Sequence, residues 1–423
     1  MSKDRWYKLD NAAQIFPIVS NKNETNSFRL SAVLKENVDP FLLKEVLIKT
    51  LERFPTFKVR LKKGFFWYYL QENHNTPIVC EESPYLCEAN NYHKQNEYLF
   101  KVRYYGKRLT LEIFHGITDG GGGMEFFKSL LYHYLIAKGY NIPNHGEILT
   151  SNVEQLVDEA QDSFKYNYNR KLKQKENESK GFKITGVNHS KKWTCCINAI
   201  CNVNTVKEAA KKYHATVTEY ISALLLYSIY VNYYRESKSN LPIRLFIPVN
   251  ARRFFDSKSL RNFVLFIRTT SVFKGDVSFE EVLVHVQETF KKELNKDELL
   301  GRIKTNVNLE INMFTRCIPL FIKSTVVKLV YRILGSGVNT LSYSNLGVVN
   351  VPQEMYEYID RLEFLNDASK YTPINVGSVS FGKHFVLSFT SDIIERKLQR
   401  TVINMLKNDG INLVVETNDL EVV

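Results

Sequence analysis

An apolar run, a glycine-rich bend and a long apolar helix follow one another without a break between Arg108 and Gly139. Arg108 to Phe114 (RLTLEIF) reads as a strand, and Met124 onward (MEFFKSLLYHYLIAKG) reads as a helix. Between them stand His115-Gly116-Ile117-Thr118-Asp119-Gly120 and then Gly121 to Gly123. This order predicts an α/β fold, with an imidazole at a strand end just before a helix N-terminus. Turns in such places expose a side chain while the scaffold fixes it.

The spacing H-x-x-x-D-G carries the chemistry. With nine histidines in the chain, a chance occurrence has a probability of roughly 2%. Histidine suits proton abstraction near neutral pH. Asp119 can orient the ring or anchor the loop by an ion pair. The glycine run offers backbone N–H groups at a helix start, Gly120 first, which can face an oxyanion. It also allows close helix–strand packing. No Lys-Ser/Thr follows the glycines, so a P-loop is excluded.

The chain has 423 residues, 44% of them hydrophobic, enough to bury a large core. The net charge of +12 fits an anionic partner (nucleic acid, an anionic lipid surface, a phosphorylated cofactor or an acidic carrier protein) and equally a lysine-rich background with no such partner. No RNA-binding signature, zinc-finger spacing or basic zipper is present, so no nucleic-acid partner is expected. Six scattered cysteines have no metal-ligand spacing, so no metal is expected. Cys195, Cys196 and Cys201 read as core thiols. The N-terminus lacks an apolar signal core. The longest apolar stretch, Leu320 to Leu334, holds Lys323, Lys328 and Arg332 and is too short to span a bilayer. A cytoplasmic location with no transmembrane segment is therefore expected.

Residues 1–175 form the expected N-terminal subdomain and 190–423 the C-terminal one, with a polar, lysine-rich connection over 141–192. In the first, Ser27 to Leu34 alternates as a half-buried strand does, and Phe65 to Leu70 reads as an aromatic strand. Asp39-Pro40 opens a helix with Leu43, Val46, Leu47, Thr50, Leu51 and Phe54 inward. A hairpin around Gly106 delivers the chain to His115. In the second, Thr216-x-x-Glu219 and Ser278-x-x-Glu281 are capping boxes, and Ile243 to Val249 is a near-continuous apolar strand. Leu341 to Leu346, Val376 to Phe381 and Phe385 to Phe389 read as further strands, and Ile394 to Leu406 as a helix. Arg252 ends the strand in Pro248-Val-Asn-Ala-Arg252 and can meet a carboxylate. Ser342 to Gly347 ends a strand in small polar residues that can line a substrate.

His115-Gly-Ile-Thr-Asp119-Gly120, Pro248-Val-Asn-Ala-Arg252 with Asn262 behind it, and Ser344-Asn345-Leu-Gly347 occur in the order seen in acyltransferases related to chloramphenicol acetyltransferase. The N-terminal texture (LDNAAQIFPIV, FRLSAVLKENVDP) resembles most the stand-alone alcohol acetyltransferases. The resemblance implies two α/β sandwich domains in a V with a tunnel between them. It implies His115 as general base and Asp119 in a structural salt bridge with Arg252. Asn262, Ser344 and Asn345 would bind substrate. The implied cosubstrate is an acyl-CoA or acyl-carrier thioester, with no permanently bound cofactor. The implied acceptor is a small alcohol or amine, and an acyl carrier protein is the alternative donor partner. Phe114 stands where peptide-synthetase condensation domains carry a second histidine, and the plant D-F-G-W-G motif is missing. The rival expectation is a non-catalytic relative that binds a carrier protein or partner enzyme.

Overall fold

The computed structural model describes residues 4–21, 24–88, 97–151, 155–170, 179–189, 193–311, 317–331, 337–369 and 371–418. The fold is mixed α/β. In chain order the strands of the first part are β1 (Trp6–Lys8), β2 (Ser27–Leu34), β3 (Val59–Lys63), β4 (Tyr68–Glu72), β5 (Val79–Glu81), β6 (Phe100–Tyr105) and β7 (Arg108–Phe114). Those of the second part are β8 (Cys195–Asn202), β9 (Ile243–Asn250), β10 (Val264–Ser271), β11 (Leu341–Val348), β12 (Ile359–Asn366), β13 (Ile374–Phe381), β14 (His384–Ser391) and β15 (Leu413–Thr417). They form a small sheet β1-β4-β3, a five-stranded sheet β12-β2-β7-β6-β5 and a seven-stranded sheet β10-β9-β11-β13-β14-β8-β15.

Local signals explain most elements of the first part. Helix α1 is the short turn Phe16–Val19. Helix α2 (Pro40–Arg53) starts at Asp39, whose carboxylate accepts from the N–H groups of Phe41 and Leu42. Helix α3 (Gly120–Ala137) starts at Asp119. Helices α2 and α3 pack side by side, and α3 lies on β2. Both capping boxes form, at the starts of the helices Val217–Ile229 and Phe279–Glu293.

Three expectations need correction. The first sheet is not built from residues 1–175 alone. Strand β12, from the second part, pairs antiparallel with β2 and closes that sheet's edge, Phe364 opposite Leu30. It also packs on β13 and β14 of the large sheet. The approach is close: a Cβ on Gly377 would stand 2.3 Å from the Phe364 carbonyl oxygen. Second, β2 is buried along nearly its whole length rather than half-buried. Its polar positions sit in a charged layer, where Arg29 meets Glu82 at 2.5 Å and Glu112 at 3.4 Å. Buried charge is tolerated when paired in this way. Third, Phe65 and Phe66 are not in a strand. They form the turn between β3 and β4, closed by the Gly64 N–H on the Trp67 carbonyl at 3.0 Å.

The polar connection is partly anchored. Glu159 makes a two-pronged bond with Arg53 of α2, both distances 2.7 Å, and Phe164 is fully buried. Residues 152–154, 171–178 and 190–192 of it lie outside the described set. No described helix is long and apolar enough to cross a membrane.

Candidate active site

Strand β7 ends at Phe114, and His115 is held at once from both sides. Its N–H donates to the Asn26 carbonyl at 2.9 Å, and its carbonyl accepts from the Asn262 side-chain amide at 2.8 Å. Two rings flank the imidazole: Phe16 of α1 stacks at 5.4 Å between centroids, and Phe28 of β2 lies at 4.6 Å. The residue keeps partial exposure. Burial lowers its pKa below the ordinary 6.5, while Asp119, the Thr118 backbone and Asn262 pull in the opposite direction. The net lowering favours the neutral ring, the form that can accept a proton.

Asp119 serves the scaffold. Its carboxylate caps α3 by accepting from the Gly122 N–H at 3.0 Å. It meets Arg252 Nη1 at 2.9 Å and accepts from the Phe263 N–H at 2.6 Å. No ion pair between Asp119 and His115 occurs among the described residues. Arg252 is itself held: Nε donates to the Ser259 carbonyl at 2.7 Å, and Nη2 donates to the Arg261 carbonyl.

The segment Ser259 to Phe263 thus clamps the motif. Besides the bonds from Asn262 and Phe263, the Leu260 carbonyl accepts from Thr118 Oγ1 at 2.6 Å. Within the glycine run, Gly122 is required by this contact. A Cβ on Gly122 would stand 2.0 Å from the Leu260 carbonyl oxygen, so at this position the run serves close packing. Gly120, at the first turn of α3, is part-exposed, and a Cβ there would stand 2.7 Å from Leu346 Cδ2. Strand β11 therefore ends beside the start of α3.

The other expected substrate residues lie in that strand. Ser344 is half-buried. The Asn345 amide donates to Thr218 Oγ1 at 3.0 Å, and its oxygen accepts from the Gly347 N–H at 2.8 Å. His115, Asp119, Gly120, Arg252 and Asn262 are brought into one cluster, and Asn345 is engaged with the helix Val217–Ile229 and its own turn. A cavity of about 430 Å³ abuts the cluster, with Gly121, Gly122, Asn250, Arg252, Lys258 and Leu260 among its walls. His115 is not among its lining residues.

Two supports were not singled out from sequence. Phe16 stacks on the candidate base. Asp10, fully buried, accepts from the Asn262 side-chain amide at 3.1 Å and from the Ala13 N–H at 2.8 Å, and lies 3.5 Å from Arg261 Nε. Burial pushes its carboxyl up to about 6, against the pull of Arg261. Both residues lie in the stretch LDNAAQIF, whose one visible signal was its texture.

Solved structures share this fold. Polyketide synthase associated protein 5 from Mycobacterium tuberculosis aligns with TM-score 0.59 and 12% identity over 95% of this chain and 96% of that one. The TRI3 trichothecene 15-O-acetyltransferase from Fusarium sporotrichioides aligns with TM-score 0.60 and 10% identity over 96% of each chain. F. sporotrichioides TRI101, complexed with coenzyme A and T-2, gives TM-score 0.60 and 13% identity over 98% of this chain and 100% of that one. No curated protein matches the chain. The alcohol acetyltransferase family model matches residues 161–408, a stretch that includes Arg252, Asn262, Ser344 and Asn345 but not His115. With more than half of its length matched, the chain belongs to the alcohol acetyltransferase family.

Proposed function

We propose that this protein moves an acyl group, acetyl in the first instance, from a thioester to an alcohol or amine, with His115 as general base. The observation that carries the reading is a part-exposed imidazole at a strand end, held by its backbone from two sides. His115 takes the proton of the acceptor O–H or N–H as the oxygen or nitrogen bonds to the thioester carbonyl carbon. The carbon–sulfur bond then breaks, and the thiolate leaves with the proton returned by the imidazolium. Asp119 and Arg252 hold the turn and do not enter the chemistry. Asn262 positions His115 through its carbonyl. Gly120 offers the helix-start N–H for the developing oxyanion, and Ser344 and Asn345 bind substrate. Family membership supports an alcohol acceptor. The excess of twelve positive charges favours a donor with phosphates, and coenzyme A is taken as its carrier.

Thiol release from acetyl-CoA, measured with and without a panel of small alcohols and amines, tests this. Acceptor-dependent release is expected. His115→Ala should lower it by about two to four orders of magnitude in a protein that stays folded. Near-normal turnover in that variant would refute the base assignment. A folded parent that releases no thiol with any acceptor would favour a binding protein of the same fold.

A further inference from the structure

Helices on the surface of soluble proteins turn their apolar stripe inward. The helix Leu320–Val330 does the reverse. Phe321, Ile322, Val326, Leu329 and Val330 lie along its outward side, with Phe321 64% and Leu329 57% exposed. Its inward side carries Leu320, Lys323, Ser324 and Val327. The Lys323 ammonium is buried there, donating to the Phe66 carbonyl at 2.9 Å and lying 3.2 Å from the Trp67 ring centroid. The Leu320 N–H donates to the Phe65 carbonyl at 2.8 Å. The helix is thereby joined to the turn between β3 and β4, which adds Phe65, 68% exposed, to the same face.

The charges carried by these segments have one sign. Strand β3, its turn and the helix carry Arg60, Lys62, Lys63, Lys323 and Lys328 and no carboxylate. The chain holds no Asp or Glu anywhere from 311 to 353. An apolar ridge on segments that carry only cations, with the carboxylate at the helix end, Glu24, bonded to the Tyr331 hydroxyl, suits a surface that is apolar beneath an anionic layer. A protein interface of this size would need polar groups for a partner's donors and acceptors, and the helix's outward side offers Thr325 and Lys328 beside its apolar residues.

We propose that this face docks the protein on a membrane surface containing anionic lipid. The phenylalanines and the helix stripe enter the headgroup–acyl boundary, and Lys62, Lys63 and Lys328 meet the phosphates. The helix packs on α1, whose Phe16 stacks on His115. The helix that carries the face is thus linked to the candidate base through α1. Delivery of a lipid-dissolved acceptor from that side would follow if acyl transfer is the activity; the docking does not depend on it.

Co-sedimentation of the full chain with phosphatidylcholine vesicles containing about 30 mol % phosphatidylserine tests the proposal without any activity measurement. The parent should pellet with the vesicles, less so as salt rises. The double variant Val326→Glu/Leu329→Glu should bind at least about tenfold more weakly, and Phe65→Ser/Phe66→Ser, on a separate element, should do the same. Lys62→Glu/Lys63→Glu should weaken binding to anionic vesicles. A parent that stays in the supernatant would overturn the proposal, as would binding unchanged in the two apolar variants. So would a parent that is dimeric by light scattering, becomes monomeric in those variants and ignores vesicles, since a second copy would then cover the face.

Discussion

A histidine can serve as a base only while it is neutral, and at His115 burial keeps it so. The direction of the shift fixes a pH dependence. A lowered pKa leaves the neutral form populated further into acid, so kcat/KM for acetyl transfer should hold its plateau through neutrality. It should fall only as pH drops below the ordinary imidazole value of 6.5. A pH–rate profile whose acid limb has its midpoint at or above that value would contradict the burial argument or the role of His115. The histidine and Asp119 were legible from their spacing. Phe16 and Asp10 were not, because each reaches the site across the fold rather than along the chain: Phe16 stacks on His115, and Asp10 meets Asn262 from 252 positions away.

At the scale of elements, Asp119 is shared between the start of α3 and the segment Ser259 to Phe263. Replacing it with Asn removes the charge that faces Arg252 in a largely buried pair. We expect Asp119→Asn to lose about 3 kcal/mol of stability, the lower part of the range for breaking such a pair, because Arg252 keeps two backbone acceptors. Activity should fall with it. His115→Ala should lose activity with its denaturant midpoint nearly unchanged. Unfolding curves of the two variants, run side by side, check the contrast. An Asp119→Asn protein as stable as the parent would remove the carboxylate from its scaffold role. The caps of α2 and of the helices Val217–Ile229 and Phe279–Glu293 were readable because a cap is made within three residues. The turn holding Phe65 and Phe66 was misread as strand, since a run of aromatic residues has strand propensity whether or not a neighbour covers it.

For the whole molecule, β12 is the decisive strand. It forms the edge of the first sheet and packs on the large one, so it ties the two sheets together. We expect chemical denaturation to proceed as one transition, with Trp67 of the first part and Trp193 of the second reporting the same midpoint. Two well-separated midpoints would mean that β12 binds its first sheet only loosely.

The amino-acid sequence by itself determined the strand–turn–helix that carries His115, the helix starts, the hairpin around Gly106 and the apolar strands of the second part. These depend on hydrophobic period, turn residues and caps, which act over a few residues. Tertiary structure alone decided that a strand from the second part completes the first sheet. It alone made Arg29 a buried partner of Glu82 and Glu112 instead of a solvated residue. It also decided which side of the helix Leu320–Val330 faces out. In the sequence that stretch was an apolar run interrupted by lysines. In the fold its outward side is apolar, because Lys323 finds its partners, the Phe66 carbonyl and the Trp67 ring, on the inside.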